Sequence, residues 1–574
     1  MDINKRTILW IVFSISLALL WDSWMVSNGH PSFFNMNQPA AKVAPAPAAN
    51  TPANAAASAT AGLPPSAAPA AAAVPGVPGA PAAPAPVKTE VITITTDVFK
   101  VDVNTAGGVI QRLELLKFRD KIDQTKNQVL MSTVPEHTYL AQTGLWNPVA
   151  GAVPPNHNTP FTAVPGPRML GDGNEVKLVL EAVQDGVKLT KTLTFKRGDY
   201  VIDMLHQVTN VGTAPVAPQL YLKLQHHGNK PEGDSYFTSS YTGPTLYSSV
   251  NKYEKLQFKD IEKARSDPRK IEYTKQANDG WIAMSQHYFV TAFLPPENTP
   301  REYDVRAEDG ATNLYAIMTK LPLGTIAPGA TVTRDVRMYS GPQDENILEK
   351  TAPGLEHVKD YGWLFIIARP IFKVMDLMHS YIGNWGWTII AFTIAIKLLF
   401  FPLSAAGYKS MARIKVVTPK MQAIREKYKG DPAKMNQATM ELYKTEKINP
   451  LGGCLPIVVQ MPVFIALYYV LSASAEMRGA PWISWITDLT QPDPYFILPV
   501  LYAISMFITT KLNPAPADPI QAKMMLFMPL AFSVMFVFFP SGLVLYWVVN
   551  NILSIAQQYV ITKKFETAAV SLKK

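Results

Sequence analysis

Apolar residues are spread unevenly along the chain, and their spacing changes from one stretch to the next. Trp385–Leu403 (WGWTIIAFTIAIKLLFFPL) is apolar apart from Lys397, and its length matches the roughly 20 residues a helix needs to cross a bilayer. Four more apolar runs follow, Leu455–Ala473, Tyr495–Thr510, Met524–Phe539 and Leu543–Ile561. A sixth, Thr7–Leu20, comes after Lys5 and Arg6 and is flanked by Trp21 and Trp24. Trp21–Met25 has no small-x-small cleavage pattern, so residues 1–25 read as an uncleaved signal anchor. Tyr495–Thr510 and Met524–Phe539 are short for a full-thickness bilayer and favour local thinning.

A different period governs the middle of the chain. Val91–Val103 alternates apolar and polar residues and ends before the turn pair Gly107-Gly108. Glu175–Phe195 holds two alternating runs with Asp185-Gly186 between them, the signature of a tight hairpin. Alternation returns at Tyr200–Val208, Gln219–Leu224 and Ala330–Met338. Residues 88–350 are therefore expected to form a large antiparallel β-sandwich. Its most suggestive polar pair is His226-His227; neighbouring strand residues point to opposite faces, which argues against a shared ligand. Residues 26–87 are rich in Ala and Pro and build no core, so they read as a semi-extended spacer.

Tyr361–Ser380 is apolar but broken by Arg369, Pro370, Lys373 and Asp376. Trp363, Leu364, Ile367, Ile371, Val374 and Met378 share a helical period, so 361–380 is expected to be an amphipathic helix along the membrane interface. A kinked transmembrane helix is the alternative.

Charge orients these elements. The 404–454 loop holds ten Lys and Arg against four Asp and Glu, while 474–494 holds one Arg against three acids. The end of the chain is basic again, with Lys563, Lys564, Lys573 and Lys574. By the positive-inside bias, the 404–454 loop, both termini and the 562–574 tail are cytoplasmic, and the β domain lies outside. The formal net charge of +9 is thus read as orientation rather than as affinity for nucleic acid. Within the loop, Thr418-Pro419 is expected to start a helix carrying Met421, Ile424 and Tyr428. Asp431-Pro432 is expected to start a second, with Met435, Ala438 and Leu442. The result would be a basic helical hairpin whose methionine-rich face suits adaptable apolar contacts, unless it is simply a solvated loop.

The candidate chemistry sits in the membrane part. A lysine inside a span costs about 2.5–3.5 kcal/mol on insertion scales and so marks a pathway or a site. Helical rise puts Lys397 about 18 Å from Trp385 and about 9 Å from Leu403, in the cytoplasmic half of the bilayer. Snorkelling to the inner headgroups would also explain it. Thr393 lies one turn before it. Gln460, Ser533, Asn550, Asn551, Gln557 and Gln558 add polar groups to later spans. Together they point to a wet, cationic cavity that holds a hydrophilic piece of another chain partway into the membrane. No phosphate-binding GxxxxGK[ST] run is present, and no nucleophile–base constellation stands out, so neither a cofactor nor catalysis is expected. The single cysteine, Cys454, excludes an intrachain disulfide and a multi-cysteine metal site; it reads as a small apolar residue.

Three stretches carry a family resemblance: YGWLFIIARPIFKVMDLMHSYIGNWGWTII (Tyr361–Ile390), NPLGGCLPIVVQMPVFIALYYVL (Asn449–Leu471) and FPSGLVLYWVVNNILSIAQQ (Phe539–Gln558). They resemble the bacterial YidC family of membrane protein insertases, of the Gram-negative type with a large periplasmic domain. The resemblance implies six transmembrane helices, with a five-helix core over 385–561 and a periplasmic β-supersandwich. It also implies an inner-membrane chaperone that inserts proteins alone or with the Sec translocon, through a groove closed to the periplasm. Expected partners are nascent membrane proteins, ribosome–nascent chain complexes, the Sec translocon with its accessory subunits, and the lipid bilayer. The groove charge falls on Lys397, where the family usually has arginine, and Tyr546-Trp547 stands in place of a common tyrosine pair. The slide along which a substrate helix leaves matches Met461, Pro462, Phe464 and Met535. A solute transporter or channel, and an envelope enzyme whose β domain acts on sugars, are the competing readings. A transporter would be expected to show internal repeats, and none is visible.

Overall fold

The alternating stretches between Val91 and Pro342 form two antiparallel sheets of nine strands each. The computed structural model describes residues 89–148, 151–229, 241–308, 310, 313–428, 431–446, 455–513, 524, 527, 531 and 533–571. The signal anchor and spacer expected over residues 1–87, and Cys454, lie outside the described residues. One sheet runs from the hairpin Val91–Thr95 and Phe99–Asn104 through Val109–Arg119, Tyr139–Trp146, Gln219–His227 and Leu314–Pro322 to Arg301–Ala307. The other has Thr331–Pro342 at its centre, between Phe289–Leu294 and Val201–Asn210. Inward residues of both sheets, among them Leu178, Leu193, Ile202, Leu222, Leu224, Phe293 and Met338, share one core. Each such side chain contributes about 1.5–3 kcal/mol by leaving water.

Local chemistry sets the turns. Asp185 (φ 47°) and Gly186 (φ 75°) join Glu175–Gln184 to Val187–Lys196, two positive φ values in a row as a tight hairpin requires. The run read as one alternating stretch, Val91–Val103, is in fact a hairpin. Thr96 breaks it, because its Oγ1 accepts from the backbone N–H of Val98 and Phe99 at 3.2 and 2.9 Å.

The two histidines depart from the strand-face expectation. His226 and His227 are both buried, and their rings stack with centroids 4.4 Å apart. His227 ends its strand, where the ladder no longer fixes which way a side chain points. Burial pushes their imidazoles down to about 3 and about 4, so both are neutral. Among the described residues no group of three or more His, Cys, Asp or Glu could hold a metal ion.

Among the described residues the α-helices are α1 (Phe258–Ala264), α2 (Glu345–Thr351), α3 (Phe365–Ile382), α4 (Trp385–Leu399), α5 (Phe401–Lys427), α6 (Pro432–Thr445), α7 (Leu455–Ala473), α8 (Ile497–Leu512) and α9 (Ser541–Ser571). The expected straight span over 385–403 is bent by 66° between α4 and α5. Pro402 in the first turn of α5 cannot donate a backbone hydrogen bond back into α4. Among the described residues no single helix is long and apolar enough to cross a membrane; the bent pair Trp385–Leu399 with Phe401–Ile414 passes that test together.

Two other boundaries move. Pro419 does not start a helix but lies inside α5, where Thr418 Oγ1 donates to Ile414 O at 3.0 Å. The last helix continues to Ser571, through most of the stretch expected to be a tail. α3 also presents a different face from the one its period suggested. Leu364, Ala368, Ile371, Phe372 and Met375 are buried, whereas Trp363, Phe365, Ile366, Val374, Leu377 and Tyr381 are exposed.

Candidate functional site

Lys397 ends up in the last turn of α4 rather than within a longer straight helix, because the chain bends at Phe400. The free carbonyls at a helix C-terminus favour a cation there. The side chain is only 4% exposed. Its Nζ donates to Ser554 Oγ on α9 at 2.7 Å, and Ser554 Oγ donates to Asn550 O at 2.7 Å. Among the described residues no carboxylate pairs with Lys397; the ammonium donates to the Ser554 hydroxyl.

α9 has two polar faces with different uses. Asn550, Ser554 and Gln557 recur at the helical period; Ser554 holds Lys397, the Asn550 backbone carbonyl accepts from Ser554, and the Gln557 Oε1 is buried without a partner among the described residues. Asn551 and Gln558 face α8 instead. Asn551 Nδ2 donates to Ser505 Oγ at 3.1 Å, and Gln558 Nε2 donates to Asn513 Oδ1 at 3.1 Å. These two are interhelical ties, not part of a wet cavity as their sequence position suggested.

Of the other residues expected to line a groove or slide, Phe464, Tyr546 and Trp547 meet through aromatic contacts. Phe464 of α7 lies 4.5 Å from Trp547 and 6.2 Å from Tyr546, centroid to centroid. Phe536 and Tyr502 pack on the other side of Trp547, at 5.9 and 6.0 Å. Gln460 Nε2 and Trp547 Nε1 are buried donors with no acceptor among the described residues. Met461 and Pro462 are exposed on α7, Met535 is half-buried and Ser533 is buried. Thr393 is buried, and its hydroxyl donates to Ile389 O at 2.6 Å, so it is committed to its own helix.

In the α5–α6 hairpin, Met421 Sδ accepts from Tyr443 OH of the other arm at 3.6 Å. Ile424, Tyr428 and Met435 are half-buried. The arms are also joined by the Lys420–Glu446 ion pair, and Asp431 caps α6 by accepting from Lys434 N at 3.1 Å. Met421 therefore meets the opposite arm rather than solvent.

Sequence reading missed three groups of residues. Ser554 and Ser505, which complete the polar contacts of α9, are ordinary serines in an apolar run. The charges that break up α3 have partners in α2: Arg369 Nε donates to Glu345 Oε1 at 2.7 Å, Lys373 reaches Glu349 Oε1 at 3.1 Å, and Asn346 donates to Asp376 at 3.1 Å. Lys191, finally, occupies an inward position of its strand. Its Nζ donates to Gly107 O and Thr143 O, both at 2.7 Å, and lies 4.7 Å from the Phe161 ring centroid.

The family model described as 60Kd inner membrane protein matches residues 377–568, and the one described as YidC periplasmic domain matches residues 91–374. A protein of Janthinobacterium sp. (strain Marseille) named membrane protein insertase YidC is 56% identical, covering 98% of this chain and 99% of its own. One of the same name from Herminiimonas arsenicoxydans is also 56% identical, with the same coverage of 98% and 99%. A solved structure described as an active YidC insertase with the first transmembrane domain resolved is 17% identical over 82% of this chain and 92% of that one, with a TM-score of 0.38.

Proposed function

The chain belongs to the YidC family of membrane protein insertases, and from that premise we propose how it moves its clients. It is an inner-membrane protein with a periplasmic domain, and it acts on nascent membrane proteins. In our reading Lys397 is the cation of a groove lined by Gln460, Ser533, Tyr546, Trp547 and Asn550, open to the cytoplasm and to lipid. The observation that carries this reading is a buried ammonium whose hydrogen bond among the described residues goes to the Ser554 hydroxyl, with no carboxylate paired to it. Gln460 Nε2 on α7 and Trp547 Nε1 on α9 are further buried donors without a partner among the described residues. A polar segment rich in carbonyls and carboxylates would satisfy all three. With that segment lodged, the apolar barrier left to cross is thinner, and the attached apolar helix leaves along the exposed Met461 and Pro462 beside Phe464 and Met535.

The wider arrangement belongs to the same proposal. Six spans, cytoplasmic termini and a cytoplasmic α5–α6 hairpin follow from the loop charges. The hairpin, with Met421, Ile424, Tyr428 and Met435, meets ribosome–nascent chain complexes, and the protein works alone or beside the Sec translocon. The outward apolar row of α3 lies in the membrane interface. No covalent chemistry is involved.

Insertion of a single-span client with an acidic leading segment into proteoliposomes tests the groove. Lys397→Glu should lower the yield at least several-fold, Lys397→Ala less, and Lys397→Arg little, since Arg keeps the charge. Full activity of Lys397→Glu would contradict a cationic groove.

A further inference from the structure

Lys397 stands in the last turn of α4, just before the bend at Phe400. A lysine placed there has an alternative to the groove: its flexible four-carbon stem can carry the charged head out to the nearer headgroups. In this fold the head turns inward instead. The side chain is buried, and Nζ donates to Ser554 Oγ of α9 at 2.7 Å.

Ser554 is set up to receive that bond. A hydroxyl has one proton to donate and two lone pairs with which to accept. Ser554 Oγ donates to Asn550 O, four residues back on the same helix, at 2.7 Å. Its proton is thereby used, and only lone pairs are left for Lys397. The rotation of α9 is fixed by two other contacts. Asn551 Nδ2 donates to Ser505 Oγ and Gln558 Nε2 donates to Asn513 Oδ1, both at 3.1 Å, and Asn551 and Gln558 are buried. These ties to α8 come about one turn before and one turn after Ser554, and they hold the serine toward α4. An ammonium carries three donors, so one hydroxyl can aim it without using it up.

We propose that Ser554 is a positioning residue for insertion. Its hydroxyl keeps the Lys397 ammonium between α4 and α9, where a client's carboxylate meets it, and prevents the side chain from snorkelling to the headgroups. The proposal rests on the groove reading above and narrows it: a second helix, not α4 alone, sets where the cation sits. Clients with an acidic leading segment then depend on Ser554, and clients with an uncharged one do not. A hydrogen bond that merely packs two membrane helices together would make no such distinction between clients.

The test uses the full chain in proteoliposomes and two single-span clients, identical except that the leading carboxylates of one are replaced by amides. Ser554→Ala should at least halve insertion of the acidic client and leave the amide client near the parent's level. Ser554→Thr should behave as the parent, because threonine keeps a hydroxyl that bonds the carbonyl one turn back. Lys397→Met should itself at least halve insertion of the acidic client. Adding Ser554→Ala to it should lower the yield no further, since a residue that acts only through the lysine then has nothing to position. Ser554→Cys, similar in volume but a weak acceptor, replaces Ser554→Ala should that variant fail to accumulate. Equal loss on both clients, a further loss in the Lys397→Met background, or full activity of the serine variant on the acidic client would each overturn the positioning role. The groove would still stand as long as Lys397→Met alone impairs the acidic client. No loss on that client in Lys397→Met would overturn the groove and the part of Ser554 with it.

Discussion

Lys191 and Lys397 are both buried ammonium groups without a carboxylate among the described residues, yet their partners differ in kind. Lys191 bridges two backbone carbonyls between the sheets, and burial pushes its ammonium down to about 7. An unfolded lysine holds its proton up to about 10.4. Between those values the unfolded chain binds more protons, so the β domain should gain stability as pH rises from about 7 toward 10. Lys191→Met should abolish that slope, read as the urea midpoint against pH; an unchanged slope would mean another group titrates there. The alternation of Val187–Lys196 already puts Lys191 in phase with Leu189 and Leu193. What it could not supply are the two carbonyls, 84 and 48 residues away in sequence, that make a charge tolerable in the core. The same limit hid Ser554: a serine's role beside Lys397 depends on how α4 and α9 pack, and neither helix encodes that alone.

Among the elements, α3 shows how a period can be right and a face wrong. The charges that spoil it as a span look like a polar stripe from sequence. In the fold they latch the helix to α2, with Glu345 taking Arg369 and the Tyr361 hydroxyl, both at 2.7 Å. Glu345→Ala should cost about 2–3 kcal/mol, the usual loss for hydrogen bonds to a charged group. The loss would appear as a lower urea midpoint of the detergent-solubilised protein, and no shift would mean that the latch adds nothing. The bend at Phe400 was likewise written in the sequence as Pro402, but within an apolar run of spanning length the proline was outweighed. Pro419 misled in the opposite direction: a Thr-Pro pair reads as a helix start, and only the continuity of α5 shows that it is not. The β hairpins were the most legible elements, because Asp185-Gly186 and Gly107-Gly108 fix a turn without reference to the rest of the chain.

Taken whole, the molecule divides into a β-sandwich with its own large core and a helical unit that buries Lys397 against Ser554. The β domain carries its own buried polar groups, including the stacked pair His226 and His227, of which His226 is spent on internal contacts with Gln286 and with the His227 carbonyl. Removing residues 88–341 should therefore leave insertion of a single-span client largely intact in the proteoliposome assay. Complete loss, with the helical unit still folded, would give the β domain a direct part in the reaction. The division into a sandwich and an apolar helical unit was legible from periodicity and loop charge. Which polar residues of α9 reach Lys397 and which tie α9 to α8 was not, because Ser554 and Asn551 differ only in the face of the helix they occupy.

The central claim, that the space beside Lys397 is the substrate's path, is tested most directly by site-specific photo-crosslinking from position 550 to a ribosome-bound nascent single-span protein. The exposed Ile552 on the same helix serves as the control. The groove account predicts a crosslink from 550 well above that from 552, rising as the apolar segment emerges and fading once the client is inserted. Equal, weak crosslinking from both positions at every chain length would contradict it, and would leave Lys397 as a cation held by the Ser554 hydroxyl for the sake of helix packing alone.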